Sequence, residues 1–224
     1  MVADLRNQEG YNLKNMKQAK CKICRRLGEK LFLKGEKCLS AKCAMIKRPF
    51  PPGQKAKKRR SNLTEYGREV KEKQKVKRWY NVSESQFKKY VIEVLENKTS
   101  EVDVASQLIS KLETRLDNVV FRLGWAKSRA QSRLLVTHGH FLVNGKRIDI
   151  PSYKVMIGDA ISIREGSKDT EVMKVLPENM KKYTVPQWLT YNSDKVEGKL
   201  AKLPTSEDVQ VPSELSSIFE HYSR

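Results

Sequence analysis

Between residues 83 and 139 the apolar positions recur every three or four residues, the period of helices that each bury one face. Phe87, Tyr90, Val91, Val94 and Leu95 trace one stripe, and Ser83 with Gln86 has capping-box spacing at its start. Leu108, Leu112, Leu116, Val119, Val120 and Leu123 trace a second, predicting a helix from about Val102 to Leu123 that Gly124 ends. Ser128 and Gln131 repeat the capping-box spacing and open a shorter helix, which Gly139 closes. The pattern then changes. Asn144-Gly145 stands between the apolar ends of residues 141–148, the strongest short-range hairpin signal. Gly158-Asp159 turns the chain into Ile161-Ser162-Ile163-Arg164, which alternates as a half-buried strand does.

Outside this stretch the pattern is weaker. Residues 1–20 are polar and are assigned as an extension. Three prolines and a glycine in 48–54 forbid helix and impose an extended, turning path. Residues 65–80 are helix-permissive and rich in charge, with Lys71, Lys75 and Arg78 at helical spacing. The expected fold class is α+β, in four parts. These are the extension, a cysteine-bearing basic segment with a helical domain over 21–112, a small ααβ domain over 113–176, and a proline-punctuated segment over 177–224. The last is expected to pack on the helical domain.

No apolar run approaches the ~18 residues of a membrane span, and the first residues lack the apolar region of a signal peptide. The sequence therefore predicts a soluble, intracellular protein with no membrane partner. Charge narrows the partner further. The 224 residues carry a formal net charge of +19. Residues 1–80 hold 24 lysines and arginines against 7 acids, and the rest hold 21 against 19. A solubilising charge would not be confined to one third of a chain. Clustered cations instead gain by releasing counterions from a phosphate backbone, so nucleic acid is the natural ligand. Lys55, Lys57, Lys58, Arg59 and Arg60 form a block that repels itself unless phosphates lie alongside.

All four cysteines fall within 23 residues, as Cys21-x2-Cys24 and Cys38-x4-Cys43. Each pair is a short knuckle that turns two thiolates toward one point, and the intervening loop can bring the pairs together. Four thiolates suit one closed, structural Zn2+, whose binding would fold a basic segment too small to build its own core. An iron–sulfur cluster uses the same number of ligands. Two disulfides or plain buried thiols are the alternatives. Farther along, Arg129 and Arg133 lie four residues apart on one predicted helix face, beside Lys127 and the helix's N-terminal donors. Phosphate would sit there readily.

These residues also carry a resemblance. Arg115-Leu116-Asp117-Asn118-Val119-Val120, Ser128-Arg129-Ala130-Gln131-Ser132-Arg133, His138-Gly139-His140 and Val143-Asn144-Gly145-Lys146-Arg147 resemble the RNA-binding domain named after bacterial ribosomal protein S-four. Upstream, Cys24-Arg25-Arg26-Leu27-Gly28, Leu33-Lys34-Gly35, Pro51-Pro52-Gly53-Gln54, Glu72-Lys73-Gln74-Lys75 and Ser85-Gln86-Phe87 follow in that family's order. Pro186-x-Trp188-Leu189 and Glu220-His221-Tyr222-Ser223-Arg224 match its close. The chain is similar to the zinc-carrying form of this family from about residue 13 to its end. Lys55-Ala56 stands where many members have His-Gly, and His221 where an apolar residue is usual.

The resemblance implies a non-enzymatic constituent of the small ribosomal subunit. It would bind small-subunit rRNA directly, nucleate the subunit body, contact ribosomal protein S-five and influence decoding accuracy. Messenger RNA (mRNA) near where it enters the subunit is a further expected neighbour, and no small-molecule substrate is implied. The expected RNA-binding set adds Arg25, Arg26, Lys47, Arg48, Arg115, Ser128, Gln131, His138, Asn144, Lys146 and Arg147 to the cations already named. The competing assignment is an RNA-modifying or ribosome-associated factor carrying the same domain, since Arg115-Leu116-Asp117 resembles the aspartate motif of pseudouridine synthases. No stretch long enough for a separate catalytic domain remains. The spacing of Gly139, Gly145 and Lys146 does not fit a phosphate-binding loop either, and His138 and His140 have no evident third ligand.

Overall fold

The computed structural model describes residues 19–53, 62–97, 103–174, 183–193 and 196–223. The chain forms two compact units, residues 1–93 with 211–224, and residues 94–210.

In the first unit the cysteine segment folds as three short helices, α1 (Lys20–Leu27), α2 (Glu36–Leu39) and α3 (Ala44–Lys47). Helix α1 turns Cys24 and Leu27 inward. It ends at Gly28, whose left-handed backbone (φ 80°) lets its N–H donate to the Cys24 carbonyl. Cys24, Leu27 and Leu31 form a small core, with Trp79 and Met45 packed against it. Helix α4 (Glu65–Trp79) starts where the Thr64 hydroxyl accepts from Gly67 N at 3.2 Å. Helix α5 (Glu84–Glu96) starts where Ser83 Oγ accepts from Gln86 N at 3.3 Å, the bond its capping-box spacing predicts. Few apolar residues of α4 face inward, so charged groups join it to the C-terminal helix, numbered α10 below (Leu215–Ser223). Lys73 Nζ lies 3.2 Å from His221 Nε2, Ser213 Oγ, just before α10, donates to Glu72 Oε2 at 2.8 Å, and Tyr222 Oη ties α10 to α5 by donating to Glu84 Oε1 at 3.3 Å.

The second unit holds α6 (Val104–Glu113), α7 (Leu116–Arg122), α8 (Arg129–Thr137) and a short turn of helix, α9 (Glu171–Lys174). Its sheet has strands β1 (Phe141–Val143), β2 (Lys146–Arg147), β3 (Ala160–Ile163), β4 (Leu189–Asn192) and β5 (Glu197–Leu200). Their order is β2-β1-β3-β5-β4, with every pair antiparallel. Asn144 and Gly145 connect β1 to β2 with positive φ at both positions (50° and 78°), as a type I′ connection requires. Phe141, Val143, Ile161 and Ile163 turn inward onto Leu116, Val119, Val120, Trp125 and Val136. The rings of Trp125 and Phe141 stack with centroids 5.7 Å apart.

The α+β reading holds, with two corrections. The helix expected to run to Leu123 breaks at Thr114–Arg115, where Arg115 adopts an extended backbone (ψ 137°). Here the chain bonds sideways to 151–155 instead of up its own helix. Val155 N donates to Thr114 O, Leu116 N to Tyr153 O and Asp117 N to Pro151 O, at 2.9–3.1 Å. The second correction concerns 177–224, expected as one segment on the helical domain. Strands β4 and β5 instead complete the sheet of the second unit, and among the described residues of this segment 211–223 belongs to the first unit. Gly198 makes this pairing tight. It lies opposite Ile161, and a Cβ there would sit 2.5 Å from a methyl of buried Leu123.

Candidate nucleic-acid interface

Helix α8 is capped as its sequence predicts, since Ser128 Oγ accepts from Gln131 N at 3.3 Å. Gln131 Oε1 reaches back to the backbone N–H of Lys127 at 2.9 Å. Ser128 and Gln131 therefore hold the helix start in shape, whereas Lys127 is exposed. Behind them lies a polar network within the second unit. Arg115 grips Asp117 by two parallel bonds, Nε to Oδ1 at 3.0 Å and Nη2 to Oδ2 at 2.7 Å. Both residues are buried, Arg115 at 2% exposure. This corrects the expectation that Arg115 faces RNA, because its fork closes on a carboxylate inside the fold. Asp117 thereby has a structural role too.

Arg133, about a third exposed at its side chain, approaches the same carboxylate, with Nη1 3.5 Å from Oδ2. Arg129 Nε donates to Asn118 Oδ1 at 2.8 Å, and its guanidinium lies over the Phe121 ring, 4.6 Å from the centroid. The two arginines expected on one face are thus both anchored to the first turn of α7, at Asp117 and Asn118. Arg122, absent from the expected set, is held side-on by fully buried Glu113. Nothing in the local spacing signalled it, because its partner lies nine residues back across the helix break.

The hairpin presents Lys146 and Arg147 to solvent. The Arg147 guanidinium lies over Gly139 and fills the space a side chain there would need, and the φ of 71° at Gly139 is a left-handed backbone that favours glycine. Asn144 is exposed, yet its amide is engaged. Nδ2 donates to Asp159 Oδ1 at 2.7 Å, and Oδ1 accepts from Ala160 N at 2.9 Å. His138 is exposed and lies beside His140, whose Nδ1 meets Ser167 Oγ at 2.9 Å. Burial, then the nearby charges of His138, Arg164 and Arg147, push His140 below the usual histidine range, which favours the neutral ring.

In the first unit Arg26, Lys47 and Arg48 are exposed. Arg25 Nε donates to the carbonyls of Arg48 and Phe50, both at 2.9 Å, and so pins the proline turn. Lys71, Lys75 and Arg78 are mostly buried. Lys75 bridges Glu72 and Glu29 at 2.8 and 2.9 Å, so the helical spacing misled here: the side chain is engaged within the protein. Its own burial acts against the charge, but these two carboxylates overcome it and raise the pKa. Burial pushes Arg78 down. Lys55, Lys57, Lys58, Arg59 and Arg60 lie outside the described residues.

Cys21, Cys24, Cys38 and Cys43 are all free thiols and line one pocket, three of them buried. Lys34 N donates to Cys38 Sγ at 3.4 Å. Burial pushes the Cys24 thiol up, and the three other sulfurs lie near enough to add to that. Among the described residues no group of three or more His, Cys, Asp or Glu side chains is drawn together closely enough to hold an ion. Four thiols without a carboxylate are of the donor type that structural zinc takes, and all four line this one pocket, short of the close approach that ligation would require.

Comparison with known proteins accounts for both units. Residues 15–113 match the family described as ribosomal protein S4/S9 N-terminal domain, and residues 114–161 match the S4 domain. Small ribosomal subunit protein uS4A of Alkaliphilus metalliredigens is 50% identical over 206 residues, covering 92% of this chain and 97% of that one. The chain belongs to the ribosomal protein uS4 family. Small ribosomal subunit protein uS4 of Ruminiclostridium cellulolyticum is 46% identical over 206 residues, covering 92% of this chain and 97% of its own length. The S4-domain match spans α7, α8, β1, β2 and the first two residues of β3, so the exposed cations Lys127, Lys146 and Arg147 fall within it. Among the described residues no helix is long and apolar enough to cross a membrane.

Proposed function

We propose that this chain is a structural component of the small ribosomal subunit that binds rRNA directly. Membership of the uS4 family carries the reading, because curated relatives covering nine-tenths of the chain are named as small ribosomal subunit proteins. The chemistry agrees with it. Positive charge is concentrated in the first 80 residues, and the S4 domain presents cations from a helix start and a hairpin. Cations set register on phosphates, and the shape of folded RNA supplies specificity, so the mechanism is binding without turnover. The named relatives are ribosomal proteins, and no enzymatic role is assigned.

Finer features follow from the family resemblance. Cys21, Cys24, Cys38 and Cys43 hold one structural zinc, supported by their shared pocket. When bound, zinc supplies a tetrahedral cross-link and no reactivity. The chain nucleates the subunit body, contacts protein S-five, lies near incoming mRNA and contributes to decoding accuracy within the ribosome. The test is binding to folded small-subunit rRNA, together with co-sedimentation with small subunits through a high-salt wash. Absence of both would overturn the proposal.

A further inference from the structure

Two arginines of the second unit are set in place from behind by buried polar groups. Glu113, fully buried at the end of α6, takes Arg122 side-on, with Nε to Oε2 at 2.9 Å and Nη2 to Oε1 at 2.7 Å. Asn118, also buried, ties this pair to the next. Its Nδ2 donates to the Glu113 carbonyl at 3.2 Å and to the Glu113 carboxylate, while its Oδ1 accepts from Arg129 Nε at 2.8 Å. The ring of Phe121 supports the flat face of Arg129. Tyr183, 40% exposed, lies within electrostatic reach of both guanidiniums.

A carboxylate with no solvent exposure needs a reason, because burying charge is unfavourable and an apolar side chain would fill the space at less cost. On an RNA-binding domain it also lowers the attraction for phosphate. What Glu113 and Asn118 provide is orientation. Each engages the inner edge of a guanidinium, so the fork is fixed before a ligand arrives and less rotamer freedom is lost on binding. Arg122 keeps about a fifth of its side chain open to solvent, and Arg129 is also partly exposed, apart from its buried Nη2.

We propose that Arg122 and Arg129 form a paired phosphate site for the RNA backbone, with Glu113 and Asn118 as positioning residues. This rests on the rRNA-binding reading given above. An acidic protein segment could also pair with two guanidiniums. RNA is favoured because the pair lies in the S4 domain with Lys127 exposed at the start of α8.

The experiment measures affinity of the full chain for folded small-subunit rRNA across a salt series. Arg122→Lys keeps the net charge and a cation beside Glu113 but loses the two-pronged fork. Binding, measured where the melting curve shows the variant folded, should weaken about 5- to 20-fold. Glu113→Gln is the sharper test. If Glu113 were only a nearby negative charge, its removal should tighten binding, whereas a positioning residue predicts weaker binding. Should Glu113→Gln fail to fold, Arg122→Lys with Arg129→Lys carries the test alone. Wild-type affinity in the lysine variants, or tighter binding by Glu113→Gln, overturns the inference. So would loss of an acidic protein partner with rRNA affinity intact. If the wild-type chain binds no rRNA, the proposed function itself fails. If Lys146→Ala with Arg147→Ala weakens binding while the Arg122, Arg129 and Glu113 variants do not, only this site is wrong.

Discussion

Lys73 Nζ lies 2.8 Å from Glu84 Oε1, joining the middle of α4 to the first turn of α5. Lys77 takes the other oxygen, and Tyr222 of α10 donates to Glu84 Oε1, so one carboxylate ties three helices of the first unit. Burial acts to raise the Glu84 pKa, but the two ammonium groups overcome it and hold the group at about 2, against an ordinary 4.5. Burial and the Glu84 charge push the Tyr222 hydroxyl well above its usual range.

The sign of the resulting pH dependence is fixed. A depressed carboxylate pKa contributes stability that is fully present above about pH 4.5 and is lost as pH falls toward 2. Urea unfolding of wild type should therefore weaken through that window by on the order of 2–3 kcal/mol from this group. Glu84→Gln should be less stable at neutral pH and should show a flatter acid limb. An acid limb identical to that of wild type would count against the assignment.

The cysteine pocket leads to a second expectation. Elemental analysis of protein purified without chelator under reducing conditions should give one zinc per chain. Removing the metal should lower the melting temperature of the first unit, because the core of Cys24, Leu27 and Leu31 is small. A ratio near zero, or iron instead, would sink the zinc assignment.

Gly198 supplies a packing test. An added methyl group would meet two methyls of Leu123 at 2.5 and 2.7 Å, and Leu123 is fully buried in the second unit's core. Gly198→Ala should destabilise by about 1–3 kcal/mol through overpacking. Gly145→Ala has open space around it and bears only the strain of a left-handed backbone, about 1–2 kcal/mol. A Gly198→Ala protein as stable as wild type would contradict this account.

These cases also mark what the chain discloses by itself. The Asn144-Gly145 hairpin and the Ser128 cap were legible because the signal and the structure lie within a few residues. The break at Thr114–Arg115 was not, since the groups that cause it belong to 151–155. Strands β4 and β5 escaped for the same reason. Each is four residues long, and β5 finds its second partner in β3, more than thirty residues away. In the candidate site, residue type gave the cations but not their partners. Arg115 and Arg129 look alike in sequence, yet one is closed onto Asp117 in the interior and the other rests against Phe121 with part of its side chain in solvent.

The hairpin cations should act additively with the charge-rich first third. Lys146 and Arg147 are exposed on a two-residue strand at the sheet edge, so replacing both with alanine should leave the melting temperature nearly unchanged. Affinity for small-subunit rRNA should fall, and the slope of log K against log salt should flatten by about 0.7–0.9 for each phosphate that is no longer neutralised. Replacing Lys55, Lys57, Lys58, Arg59 and Arg60 with serine should flatten that slope further. Residues 1–80 carry 24 cations against 7 acids, and these five form their densest block. If the slope stayed at the wild-type value after all seven substitutions, counterion release from this surface would not be the source of affinity. The interface would then have to be sought among the cations that remain, Arg122 and Arg129 of the second unit and Arg26, Lys47 and Arg48 of the first.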